Sequence, residues 1–102
     1  MARLRAEYLV EIPSRLEEIL AAVERLEGGS PEAVAQLKVL FHRLAGSAGA
    51  YGYGEVTIAC RREEIALKAA TNPPGLAGQI REAVEEIRTA FSASPTSPPI
   101  AP

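Results

Sequence analysis

Apolar residues recur every three or four positions in successive stretches of this chain, and glycine or proline separates each stretch from the next. In the stretch after Ser14 the large apolar residues are Leu16, Ile19, Leu20, Val23 and Leu26. This spacing places them on one face of an α-helix. At 102 residues the chain is long enough for one core and too short for two. Aromatic residues make up only 5% and Trp is absent, which favours closely packed helices over a β sandwich.

The breaks between these stretches predict four long helices and one short one. Pro13 predicts the end of a short first helix, which would cover the bundle as a lid. The second helix is expected over 14–27, beginning at the S-x-x-E pattern of a capping box. The other three helices are expected at 31–51, 55–70 and 73–91.

The simplest architecture for these helices is an all-α, antiparallel up-and-down four-helix bundle with the short N-terminal helix as a lid. We expect this bundle over residues 1–92. Residues 93–102, rich in Pro and Ser, are expected to form a flexible tail or linker.

Charge and composition argue against several classes of function. The 11 Lys and Arg residues against 13 Asp and Glu give a net charge of -2, and no basic tract is long enough to follow a nucleic acid backbone. The apolar run near the N-terminus is broken by Glu7 and Glu11, so neither a signal peptide nor a membrane span is expected. The single Cys60 and the single His42 do not suffice for a closed metal site. We expect a cytoplasmic monomer without a metal.

The third predicted helix carries His42 on the side opposite its apolar stripe. A solvent-facing arc is normally charged, yet the residues that share this arc are small or apolar: Ala35, Val39, Ala45, Gly46 and Gly49. Each glycine inside a helix costs up to about 1 kcal/mol relative to alanine, which suggests clearance for a partner. The alternative is a close helix crossing beside a passive histidine, and the pattern alone does not decide between the two.

The segment "HRLAGSAGAYGYGEV" resembles the H-x-L-K-G-S-A-x-x-x-G signature of histidine-containing phosphotransfer domains. The coinciding residues are His42, Leu44, Gly46, Ser47, Ala48 and Gly52. Upstream, "YLVEIPSRLEEILAAV" is similar to the family's entry into the bundle, so the resemblance covers residues from about 5 to 91.

The resemblance implies that His42 accepts a phosphoryl group from the aspartyl phosphate of a receiver domain and passes it to another receiver in two-component signalling. The expected partners are response-regulator receiver domains, with a histidine kinase as a further candidate. The domain would bind no cofactor itself, because the receiver supplies Mg²⁺, and it would act as a relay component rather than a self-sufficient enzyme. The alternative from another class is a non-catalytic docking module that uses the Ala/Gly surface.

The chain departs from the family pattern at two positions. Ala45 stands where the family usually has the lysine that helps to hold the phosphoryl oxygens. Lys38, one turn before His42, or the adjacent Arg43 could supply that positive charge, and Lys38 is the better placed around the helix. Glu63 stands where the family tends to be apolar.

Overall fold

The computed structural model describes residues 2–93, which form a bundle of four antiparallel helices. The helices are α1 (Ala2–Glu27), α2 (Glu32–Ala50), α3 (Gly54–Ala69) and α4 (Ala77–Ser92), with a 3-10 turn at Pro73–Leu76. Each helix packs against the next, and α1 packs against α4 to close the bundle. The predicted all-α four-helix bundle is confirmed. Apart from Ala93, the predicted tail lies outside the described residues.

The predicted short lid helix is wrong, because α1 continues through Pro13 without interruption. A proline inside a helix costs about 3 kcal/mol, since it removes one main-chain hydrogen bond and crowds the preceding turn. Tyr8 and Ile12 before the proline and Leu16 after it are all buried in one core. Burial of each such side chain contributes about 1.5–3 kcal/mol, so the stripe as a whole outweighs the local cost of the proline.

Glycines end the first two helices as the sequence predicts. Gly29 after α1 and Gly52 after α2 have φ angles of 85° and 90°, in the left-handed region that glycine enters without a steric penalty. Ser30 does not cap α2 as its position suggests, since its hydroxyl bonds to the side chain of Glu32 instead. The two short turns hold the helices antiparallel and bring the end of α2 next to the start of α3.

The core is built from aliphatic side chains of all four helices, together with Tyr8, Phe41, Tyr53 and Phe91. On α3, Ile58 and Ile65 lie outside this core. Both isoleucines are 68% exposed, so α3 buries only one face. No helix among the described residues is long and apolar enough to cross a lipid bilayer.

Glu63 of α3 is fully buried, although every other buried residue among those described is apolar or glycine. Gln79 donates to its Oε1 at 2.9 Å, and Arg62 donates to its Oε2 at 3.0 Å. A buried carboxyl group is costly only when its oxygens lack donors, and both oxygens here have one. This pairing lets α3 and α4 pack around a polar residue.

Candidate functional site

His42 lies near the middle of α2 and projects into solvent, with 70% of its side chain exposed. Its exposure follows from helical geometry, because Leu37, Phe41 and Leu44 form the buried stripe on the other side of the helix. The predicted placement of the imidazole on the outside of the bundle is therefore confirmed.

Glu64 of α3 lies beside this imidazole. Its Oε2 atom is 3.3 Å from Nδ1 of His42, and its side chain is 22% exposed. A carboxylate can only accept, so the contact is a hydrogen bond when Nδ1 carries the proton. In that tautomer Nε2 keeps its lone pair, which makes it the nucleophilic nitrogen. The partly sheltered carboxylate thus orients a largely exposed ring.

The predicted docking surface is wrong at Ala45, which is 1% exposed and packs in the core. Its carbonyl oxygen accepts a hydrogen bond of 2.7 Å from Oγ1 of Thr57 on α3. Gly49 is half-buried at the same crossing, and a Cβ there would come within 3.1 Å of the Thr57 hydroxyl. At these two positions the small residues permit close approach of α2 and α3, which was the alternative interpretation of the sequence.

The other small residues of the arc do lie on the surface. Ala35 and Gly46 are exposed, and Val39 is 46% exposed. A Cβ built on Gly46 would meet no atom within 4 Å, so packing inside the bundle does not require this glycine. We define the exposed platform as Ala35, Val39, His42 and Gly46. Its short side chains leave His42 accessible to an approaching protein.

Lys38 and Arg43 flank His42 on different sides. Helical spacing turns Lys38 toward α3, on the side of Ala45 and Gly49. Arg43 instead lines a small cleft with Arg15, Glu18 and Ile19 of α1. The two cations that the sequence offers in place of the missing lysine therefore stand on opposite edges of α2, and Lys38 is on the edge that faces α3, the helix of Glu64.

The C-terminal end of α2 is held by α1. The Tyr8 and Ser47 hydroxyls are 2.8 Å apart, and burial raises the pKa of Tyr8 above its usual value. The rings of Tyr8 and Tyr51 stack with centroids 4.4 Å apart, and Nε of Arg5 donates to the Tyr51 carbonyl at 3.3 Å. Ser47, part of the signature, is thus a packing residue that fixes α2 against α1.

Glu64 was not among the residues predicted for the site from the sequence. The available signal was the spacing of Thr57, Glu64 and Lys68, which places polar residues along one flank of α3 beside the buried stripe. Among the described residues, no three His, Cys, Asp or Glu side chains cluster as metal ligands would.

A family model described as Hpt domain matches residues 3–90, which include all of α2 and α3 and all but the outermost residues of α1 and α4. The chain belongs to the Hpt domain family. Domains of this family transfer phosphoryl groups in two-component signalling and interact with receiver domains and kinases. Comparison with curated proteins and with solved structures gave no match.

Proposed function

We propose that His42 is the phosphoacceptor of a phosphorelay and exchanges a phosphoryl group with the aspartates of receiver domains. The observation that carries the proposal is the imidazole itself, which is 70% exposed on the platform while Glu64 engages its Nδ1 atom. An oriented, accessible nitrogen with a free lone pair is what in-line attack on phosphorus requires.

The transfer balances without a cofactor bound to this chain. The lone pair of Nε2 attacks the phosphorus of the aspartyl phosphate, a P–N bond forms, and the P–O bond breaks with its electron pair left on the aspartate. The phosphorylated ring gains positive charge while Nδ1 keeps its proton, and the Glu64 carboxylate stabilises that charge through the same hydrogen bond. Transfer to a second receiver reverses these steps. The Mg²⁺ that neutralises the phosphoryl oxygens would come from the receiver.

The shape of the platform supports a receiver domain as the partner. Ala35 and Gly46 present almost no side chain beside His42, and Val39 adds an apolar contact. A globular partner can therefore bring its aspartate within reach of Nε2 without displacing any described part of the bundle. Lys38 stands beside the platform as a cation for the phosphoryl oxygens.

The test is to incubate the protein with phosphorylated receiver domains from the same cell and to measure label that is stable in alkali and labile in acid. We expect label on the wild-type protein and none on His42→Gln, because an amide nitrogen has no available lone pair with which to attack phosphorus. Absence of label on both, or equal label on both, would overturn the relay and leave the non-catalytic docking module as the function.

A further inference from the structure

Some cationic side chains of this protein have a bonding partner in the structure and others have none. Six of the ten that the structure describes have a hydrogen-bond acceptor or an ion-pair partner: Arg5, Arg15, Arg25, Arg62, Arg81 and Arg88. Among the described residues, four make neither a hydrogen bond nor an ion pair: Lys38, Arg43, Arg61 and Lys68. All four of these belong to α2 and α3, the helices that carry His42 and Glu64. We call this group the unpaired cations.

Phosphorylation of His42 would require a cation close to the imidazole. A phosphoryl group adds about two negative charges close to the Glu64 carboxylate, whose Oε1 is buried without a hydrogen-bond donor from the described residues. Like charges in a partly sheltered site repel unless a cation stands between them. Ala45 cannot supply that cation, because its side chain is a methyl group packed in the core.

The direction in which side chains point on a helix indicates which of the unpaired cations lies toward His42. A side chain leans toward the N-terminus of its own helix. Lys68 follows Glu64 by four residues, so it stands on the same flank of α3 and leans back toward Glu64 and the imidazole. Arg61 precedes Glu64 by three residues and leans away from it. Arg43 lines the cleft facing α1, on the other edge of α2.

The antiparallel course of α2 and α3 places Lys38 and Lys68 toward the same end of the seam between these helices. The imidazole leans toward that end, since it too points toward the N-terminus of its helix. Resting on the proposed phosphoacceptor role of His42, we propose that Lys68 of α3 binds the phosphoryl oxygens, in place of the cation absent at Ala45. Lys38 supports it from α2.

The test uses phosphoramidate, a small donor that needs no protein partner, on the full chain. Its P–N bond breaks and ammonia leaves as Nε2 forms its own bond to phosphorus. We expect Lys68→Gln to lower the rate of phosphorylation about fivefold, as loss of one partly exposed charge contact would. Lys68→Arg should retain most of the rate. Arg61→Gln is the matched control, which removes an unpaired cation of the same helix and should stay within about twofold of wild type.

A second measurement separates a contact with the phosphoryl group from an effect on folding. In a ³¹P titration of phosphorylated His42, a bound cation favours the dianion and lowers the pKa of the phosphoryl group. Lys68→Gln should therefore raise this pKa, whereas Arg61→Gln should leave it unchanged. Thermal midpoints of both variants should match that of the wild type, because Lys68 and Arg61 are exposed and unpaired.

Equal effects of the two substitutions, or no effect of Lys68→Gln, would overturn the role of Lys68 while leaving the relay intact. If the wild-type protein accepts phosphate only from receivers, the same comparison is made with a phosphorylated receiver, and the same outcomes decide. A wild-type protein that neither phosphoramidate nor any receiver labels would overturn the proposed function itself, and the role of Lys68 with it.

Discussion

His42 and Glu64 come from neighbouring helices and meet at 3.3 Å between Nδ1 and Oε2, with the ring largely in solvent and the carboxylate largely sheltered. The sheltered partner is therefore the acid, and the exposed partner is the nucleophile. Since a hydrogen bond at Nδ1 leaves Nε2 as the nucleophile, the pair fixes both the orientation of the ring and the nitrogen that reacts.

Glu64→Ala should slow phosphoryl transfer to His42 about five- to tenfold, because it removes a charge-assisted hydrogen bond worth about 1 kcal/mol or slightly more at this exposure. Glu64→Gln should lose less, since its amide oxygen still accepts from Nδ1. The rate of labelling by a phosphorylated receiver measures both. Glu82→Ala, which removes an exposed glutamate of α4, is the control and should transfer at the wild-type rate. Equal rates for all three variants would show that Glu64 does not orient the ring.

Gly46→Leu should reduce transfer from a receiver about tenfold or more, because the added side chain stands on the platform beside His42. Phosphorylation by phosphoramidate should change little, since this small donor is not excluded. A Cβ at Gly46 meets no other atom, and leucine favours helix over glycine by about 0.5–1 kcal/mol, so thermal stability should not fall. Gly78→Leu, at an equally open glycine of α4, should leave transfer intact. A folding defect in Gly46→Leu would instead make Gly46 a packing residue.

Gly49→Ala should destabilise the bundle, because the new methyl group meets the Thr57 hydroxyl at 3.1 Å and disturbs its bond to the Ala45 carbonyl. In a Thr57→Ala background, Gly49→Ala should instead raise the free energy of unfolding by up to about 1 kcal/mol, because alanine has the higher helix propensity. Chemical denaturation of the four proteins in this double-mutant cycle measures the coupling. Additive effects would show that the crossing of α2 and α3 does not depend on this contact.

Cys60 should be inert toward thiol reagents while the protein is folded. Burial, with smaller contributions from Glu64 and Glu63, raises the pKa of its thiol to about 12. At pH 8 only about one thiol in 10⁴ is then the reactive thiolate, and the sulfur is fully buried. Reaction with a chromogenic disulfide should appear only after denaturant is added. Rapid reaction of the native protein would mean that α3 opens readily.

The sequence predicts the number of long helices, the turns at Gly29 and Gly52 and the exposed position of His42, because each of these follows from local spacing. It does not predict the continuity of α1, which depends on tertiary burial on both sides of Pro13. The spacing of Tyr8, Ile12 and Leu16 already contained this information, since the stripe keeps its phase across the proline.

The pattern of α2 alone could not predict which small residues of the arc are exposed and which are buried. Ala45 and Gly49 lie on one edge of the arc, and only the position of α3 decides that this edge is covered. Nor could one helix alone predict the contact of Glu64 with His42, which are 22 residues apart. The contact depends on which face of α3 is turned toward α2. Periodicity gives the faces of each helix, whereas the pairing of faces is set by packing of the whole core.

The stacking of Tyr8 on Tyr51 has a consequence for truncation of the chain. If the first dozen residues formed a separate lid helix, as the sequence predicts, deleting them would expose the platform and leave α2 unaltered. Instead, deletion would strip the ring of Tyr51 and the hydroxyl of Ser47 of their neighbours and remove the Arg5 donor from the last turn of α2. The deletion would therefore destabilise the turn between α2 and α3 and, through it, the alignment of His42 with Glu64.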